Sequence, residues 1–180
     1  MRKRLRLEHF DYSSPGAYFV TIASQNRRPL FGRLNETAGI DLNEVGKMIN
    51  AWWMKLPQKF PPVTLDAHIV MPDHLHGLVL LQCDDASGSA APVSLSEVMQ
   101  WFKTMTTAEY FRHVRHDEWP MVHQRLWQRS FFDHVVRTER ELEEIRKYIE
   151  ENPGELWERF AGRTHGSAPT SETRGSAPTH

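Results

Sequence analysis

The chain has 180 residues, 39% of them hydrophobic and 25% charged, with a formal net charge of −1. That length suits one domain with a sizeable core, and so balanced a charge argues against a protein that coats nucleic acid non-specifically. A single cysteine, Cys83, excludes an internal disulfide framework, and no apolar leader or membrane span is expected, so a reducing cytoplasm is the expected compartment.

Basic residues cluster locally despite the balance. Arg2, Lys3, Arg4 and Arg6 mark a basic arm over residues 1–16 that ends at Pro15-Gly16. Residues 18–24, Y-F-V-T-I-A-S, are rich in aromatic and β-branched side chains and read as a strand. Residues 25–33 form a polar loop carrying Arg27 and Arg28 in the run R-R-P-L-F. Val45, Met48, Ile49, Trp52 and Leu56 recur at helical spacing, which predicts a helix over 43–56 stopped by Pro57.

Residues 63–71 and 74–82 flank the turn-prone pair Pro72-Asp73 and read as a hairpin. A small-residue loop covers 84–92. Ser94 and Glu97 then have the spacing of a capping box, opening a helix that runs to about residue 114. After a loop at 115–122, residues 131–136 form a last strand. Thr138 and Glu141 repeat the capping spacing and start a helix with Leu142, Ile145 and Ile149 on its inner stripe, ended by Pro153.

The element order is thus β-α-β-β-α-β plus one helix. It predicts an α+β fold, the ferredoxin-like split β-α-β sandwich, with both crossover helices on one face of an antiparallel sheet. The last helix is expected on the other face or at its edge. We expect a single catalytic domain over 1–160 and a low-complexity tail over 161–180, where G-S-A-P-T occurs twice; such a segment buries too little to offset its chain entropy and is expected to be mobile.

Chemistry is suggested first by His74 and His76. Side chains two apart on a strand share a face, so the imidazoles project side by side and suit one divalent metal. Ordinary polar residues at a strand start would read the same way. Tyr148 and Asn152 are one helical turn apart and present a phenol and an amide along one helix edge. A half-buried tyrosine and a C-terminal cap are the alternative. If the helix packs near the histidines, the set becomes a metal site with an adjacent oxygen nucleophile.

A-H-I-V-M-P-D-H-L-H-G-L-V-L-L, F-K-T-M-T-T-A-E-Y, L-W-Q-R-S-F-F-D-H-V-V-R and Y-I-E-E-N-P occur in that order. Together they resemble the HUH single-tyrosine transposases of bacteria, IS200-like enzymes. The Y-I-x-x-N-P ending and R-R-P-L-F loop are similar to the REP-associated tyrosine transposases. The resemblance spans residues 16–157; the 84–92 loop and the repeated tail match no family element.

The resemblance implies that His74, His76 and Asn152 ligate Mg²⁺ or Mn²⁺ and that Tyr148 attacks a phosphodiester of single-stranded or hairpin DNA. A 5′-phosphotyrosine and a free 3′-hydroxyl result, and the strand can be rejoined elsewhere. It further implies a monomer rather than a homodimer, no membrane, and a bacterial cytoplasmic location at nucleoid DNA. Arg2, Arg4, Arg27, Arg28 and Lys103 are candidate DNA contacts, set against plain surface charge. Asp133 and His134 are candidate partners of the metal ligands, although only one of them can share their face. Trp127, Phe131 and Phe132 are weighed as base-stacking groups against core packing. The other readings left open are a water-using metal phosphodiesterase and a non-catalytic nucleic-acid-binding module of the same fold. Because a cation needs neutral imidazoles, activity is expected to fall below about pH 6.

Overall fold

The computed structural model describes residues 15–35, 40–82, 93–116, 118–122 and 125–151. The basic arm with Arg2 and Arg4, the 84–92 loop, Asn152 and the repeated tail lie outside the described residues.

Strand β1 (Gly16–Ala23) is the hinge of the architecture. Its run Y-F-V-T-I is apolar on both faces because both are covered. Tyr18, Val20 and Ile22 enter one core and Phe19 enters a second. Three short elements follow: a 3-10 turn (Gln25–Arg27), β2 (Gly32–Leu34) and β3 (Ile40–Leu42). The β2–β3 pair stands apart from the main sheet. It was not foreseen, since two three-residue strands carry no readable alternation.

Helix α1 (Glu44–Met54) is capped by Asn43, whose side chain accepts from Gly46 N at 3.0 Å. Pro57 does not end this helix, contrary to expectation. The helix stops at Met54, and Pro57 lies in the first turn of a short α2 (Leu56–Lys59), where its missing N–H costs nothing. The hairpin is formed by β4 (Val63–Val70) and β5 (His74–Leu81), closed by Met71 N donating to His74 O at 2.7 Å. The capping box of Ser94 and Glu97 is present at the head of α3 (Leu95–Arg115). Then come β6 (Phe132–Val136) and α4 (Glu139–Glu151).

The main sheet has the order β4-β5-β1-β6 with every neighbour antiparallel. This is the ferredoxin-like arrangement. Helices α1 and α3 cover one face through Val45, Ile49, Trp53, Val98, Phe102 and Tyr110. Among the described residues, helix α4 is the element on the other face, where Leu142, Ile145, Tyr148 and Ile149 meet Phe19 and Leu78. Trp127 belongs to the first core, against Phe31 and Phe102, with its indole N–H donating to Thr106 Oγ1 at 2.8 Å. Core packing, not base stacking, is therefore its role.

Strand β5 serves both faces. Leu75, Val79 and Leu81 enter the first core, and Gly77 lies between them on the same side. There the fully buried Trp53 indole lies so close that a Cβ on Gly77 would meet its Cζ2 at 2.3 Å. Phe102 packs edge-on against the same indole, so it has no room to yield. Gly77→Ala is expected to lower folding stability by about 1–3 kcal/mol through overpacking, read as a lower urea midpoint with an unchanged slope.

Candidate active site

His74 and His76 open β5 on the face that α4 covers. Their Nε2 atoms stand 2.9 Å apart. Each ring is held from behind by its other nitrogen. His74 Nδ1 is 2.5 Å from Asp73 Oδ1, and His76 Nδ1 is 2.8 Å from Thr21 Oγ1. Thr21 stands directly across the β1–β5 ladder from His76, so the sheet register makes this contact. Phe19 stacks on the His76 ring at 5.3 Å, and Tyr148 meets the same ring edge-on at 5.8 Å. His76 is fully buried and Tyr148 is 5% exposed. The tyrosine thus lies inside the apolar stripe of α4.

Burial pushes the His76 pKa well below the usual imidazole range, and the neighbouring charges of His74 and Arg27 push it the same way. His74 is lowered as well, chiefly by burial and against the raising influence of Asp73. Both rings are therefore neutral at neutral pH. Asp73 spends its second oxygen on Arg27, whose Nη1 is 3.5 Å away.

Two neutral nitrogens this close, each with its far side anchored, fit one cation. An ion about 2.1 Å from each would see them at roughly a right angle, as octahedral coordination requires. Among the described residues, no group of three or more His, Cys, Asp or Glu is placed to hold a metal.

A family model described as "Transposase IS200 like" matches residues 43–152, which span both histidines and Tyr148. The chain belongs to the IS200-like transposase family. That membership supports an enzyme with a transposase role. An uncharacterized protein of Haemophilus influenzae (strain ATCC 51907 / DSM 11121 / KW20 / Rd) is 30% identical over 164 residues, 87% of this chain and 90% of that protein. Similar solved structures include a REP-associated tyrosine transposase bound to a REP hairpin, at 20% identity and a TM-score of 0.49, covering 97% of this chain and 98% of that one. A candidate transposase from Deinococcus radiodurans R1 shares 20% identity at a TM-score of 0.48, covering 83% of this chain and 96% of that one. No helix among the described residues of this IS200-like transposase is long and apolar enough to cross a membrane.

The remaining candidate residues divide. Arg27 stands at the site through Asp73, in a left-handed backbone conformation with φ 53° that it shares with Asn26 at 59°. Arg28 is exposed beside the same loop, and its charge is felt by Tyr110. Lys103 is corrected: its ammonium donates to the carbonyls of Gln128 and Arg129 at 2.6 and 2.9 Å, so it holds the segment that feeds β6. Asp133 is also corrected, because it pairs with Val20 across the ladder and so lies on the α1–α3 face, away from the histidines.

His134 does share their face but is separated from His76 by strand β1, and its Nε2 contacts Glu141 Oε1 at 2.8 Å. It fastens α4 instead of supporting a ligand. Sequence reasoning missed Asp73 and Thr21. Asp73 was read as a turn residue and Thr21 as a strand residue, and nothing short of the β1–β5 register pairs Thr21 with His76.

The lowered pKa values displace the acid limit expected from sequence to lower pH. They also link stability to pH. Unfolded histidines take up protons near 6.5, whereas the folded His74 and His76 resist them. The unfolded chain therefore binds more protons below that value, and stability drops as pH falls toward the folded pKa values. The urea midpoint of the metal-free protein should be level above about pH 7 and decline toward pH 5. His76→Gln should flatten the decline.

Proposed function

We propose that this IS200-like transposase cuts and rejoins single-stranded DNA with Tyr148 as nucleophile, on hairpin DNA of the REP type. The observation that supports this most is the edge contact of Tyr148 with His76, 5.8 Å between rings, beside a histidine pair whose Nε2 atoms converge. His74, His76 and Asn152 would hold a divalent cation, Mg²⁺ or Mn²⁺, and when bound it would supply positive charge to a phosphate oxygen and draw electron density from phosphorus.

The protein's own groups do the rest. The phenol oxygen of Tyr148 bonds to phosphorus, the bond to the 3′ oxygen breaks, and that oxygen leaves as a hydroxyl. In net terms the proton lost by the phenol is the one the hydroxyl gains. A 5′-phosphotyrosine link remains, and attack on it by a 3′-hydroxyl reverses the chemistry and joins strands without water. With the ring buried in this state, a phosphodiester would reach the phenol as the end of α4 lifts from the sheet. Arg27, anchored by Asp73 beside the histidines, would pair with backbone phosphate, as would exposed Arg28 and the arm residues Arg2 and Arg4. The resemblance of the R-R-P-L-F loop to the REP-associated branch supports hairpin DNA as substrate and a monomer as the working unit.

Incubation with a 3′-labelled hairpin oligonucleotide and Mn²⁺ should give a labelled, denaturation-resistant protein–DNA adduct, and Tyr148→Phe should remove both adduct and cleavage. Cleavage that survives in Tyr148→Phe would instead mark a water-using phosphodiesterase. Binding without cleavage by the unaltered protein would mark a non-catalytic module.

A further inference from the structure

We infer that Thr21 and Asp73 are positioning residues, a matched pair of clamps that select the imidazole tautomers needed for one cation to bind both histidines. The inference rests on the proposed reading of His74 and His76 as metal ligands.

The two clamps differ in chemistry, and the difference matters. An ionised carboxylate only accepts, so at 2.5 Å from Asp73 the His74 Nδ1 must carry the proton, leaving a lone pair on Nε2. His74 is thereby fixed in the ligating tautomer before any cation arrives. His76 cannot be in that tautomer in the metal-free protein. Its Nε2 lies 2.9 Å from the His74 Nε2, two lone pairs would repel there, and one nitrogen must donate. Since His74 has no proton on that atom, His76 supplies it, and its Nδ1 then accepts a hydrogen bond.

The partner of that Nδ1 is the Thr21 hydroxyl at 2.8 Å, which donates. When a cation takes both Nε2 lone pairs, the His76 proton must sit on Nδ1, and the same hydroxyl turns to accept it. A hydroxyl serves both states without any movement of heavy atoms. A carboxylate could not donate in the first, and a methyl could do neither. Thr21 therefore holds the fully buried His76 ring in place through a change of tautomer. Asp73 holds its neighbour in one tautomer throughout. Neither role needs contact with DNA.

The test is Mn²⁺ titration of the metal-free protein followed by electron paramagnetic resonance, with imidazole ¹⁵N shifts recorded on separate metal-free and Zn²⁺-loaded samples. Thr21→Val keeps the shape and removes the hydroxyl; Asp73→Ala removes the acceptor. Each should weaken Mn²⁺ roughly 10- to 100-fold, the usual cost of losing a group that orients a ligand. Thr21→Ser and Asp73→Asn, which restore a hydroxyl and an acceptor oxygen, should bind near the wild-type level. In the metal-free wild type, the ¹⁵N shifts should place the proton on Nδ1 of His74 and on Nε2 of His76, and Mn²⁺-free Zn²⁺ loading should move the latter to Nδ1. Wild-type affinity in Thr21→Val and Asp73→Ala, with binding lost in His74→Ala, overturns this inference and leaves the parent reading standing. Undiminished binding in His74→Ala and His76→Ala overturns both.

Discussion

Helix α4 is fastened to the open face of the sheet at its start and along its middle. At its start, Glu141 reaches back to Arg137 N at 2.9 Å and to His134 on β6. Further along, Arg146 grips both oxygens of Asp66 on β4, with Nη2 2.6 Å from Oδ2. Asp66 lies in the register irregularity of β4 between Leu65 and His68. On the same helix Leu142, Ile145 and Ile149 pack on Phe19 and Leu78. Magnitudes decide the division of labour. A buried aliphatic side chain contributes about 1.5–3 kcal/mol, whereas the half-exposed guanidinium of Arg146 is screened by solvent. The stripe therefore supplies most of the docking energy, and the polar contacts set rotation and register. At about 100° per residue, a small rotation of α4 would carry Tyr148 off His76.

The two faces of the sheet are covered differently. One is closed by two helices and a large aromatic core; among the described residues the other carries α4 over the histidine pair. The same strand feeds both, since β5 alternates His74, His76 and Leu78 toward α4 with Leu75, Gly77 and Val79 toward α1 and α3. A slip of one residue would exchange the sets. The close fit of Gly77 on Trp53 and the ladder contact of Thr21 with His76 both resist it. Packing on the α1–α3 face thus fixes where the imidazoles stand on the α4 face.

Much of this was legible in the residues. Alternating and helical periods, two capping boxes and the Pro-Asp break placed the main strands and helices within a few positions. H-x-H gave the shared face of the two histidines. The sequence offered less where function depends on pairing across long separations. Thr21 meets His76 only through the β1–β5 ladder, and Arg146 meets Asp66 only once α4 has docked. Lys103 was a candidate phosphate contact from its place in the F-K-T run, but the nearby 128–129 carbonyls claim it. Asp133 and His134 alternate on β6, and only the observed register says which of them faces α4. Pro57 reads equally as a helix stop or as a first-turn residue, and the break after Met54 made it the second.

The central claim is that α4 brings one tyrosine, and no other, to the cation held by the sheet histidines. The chain has four tyrosines. Tyr18 and Tyr110 lie in the core of the opposite face. With ¹³C-labelled tyrosine and substoichiometric Mn²⁺, paramagnetic broadening should strike the Tyr148 ring signals first and more strongly than those of Tyr18 and Tyr110. A Tyr148 signal that stays sharp while Mn²⁺ binds at His74 and His76 would contradict the account.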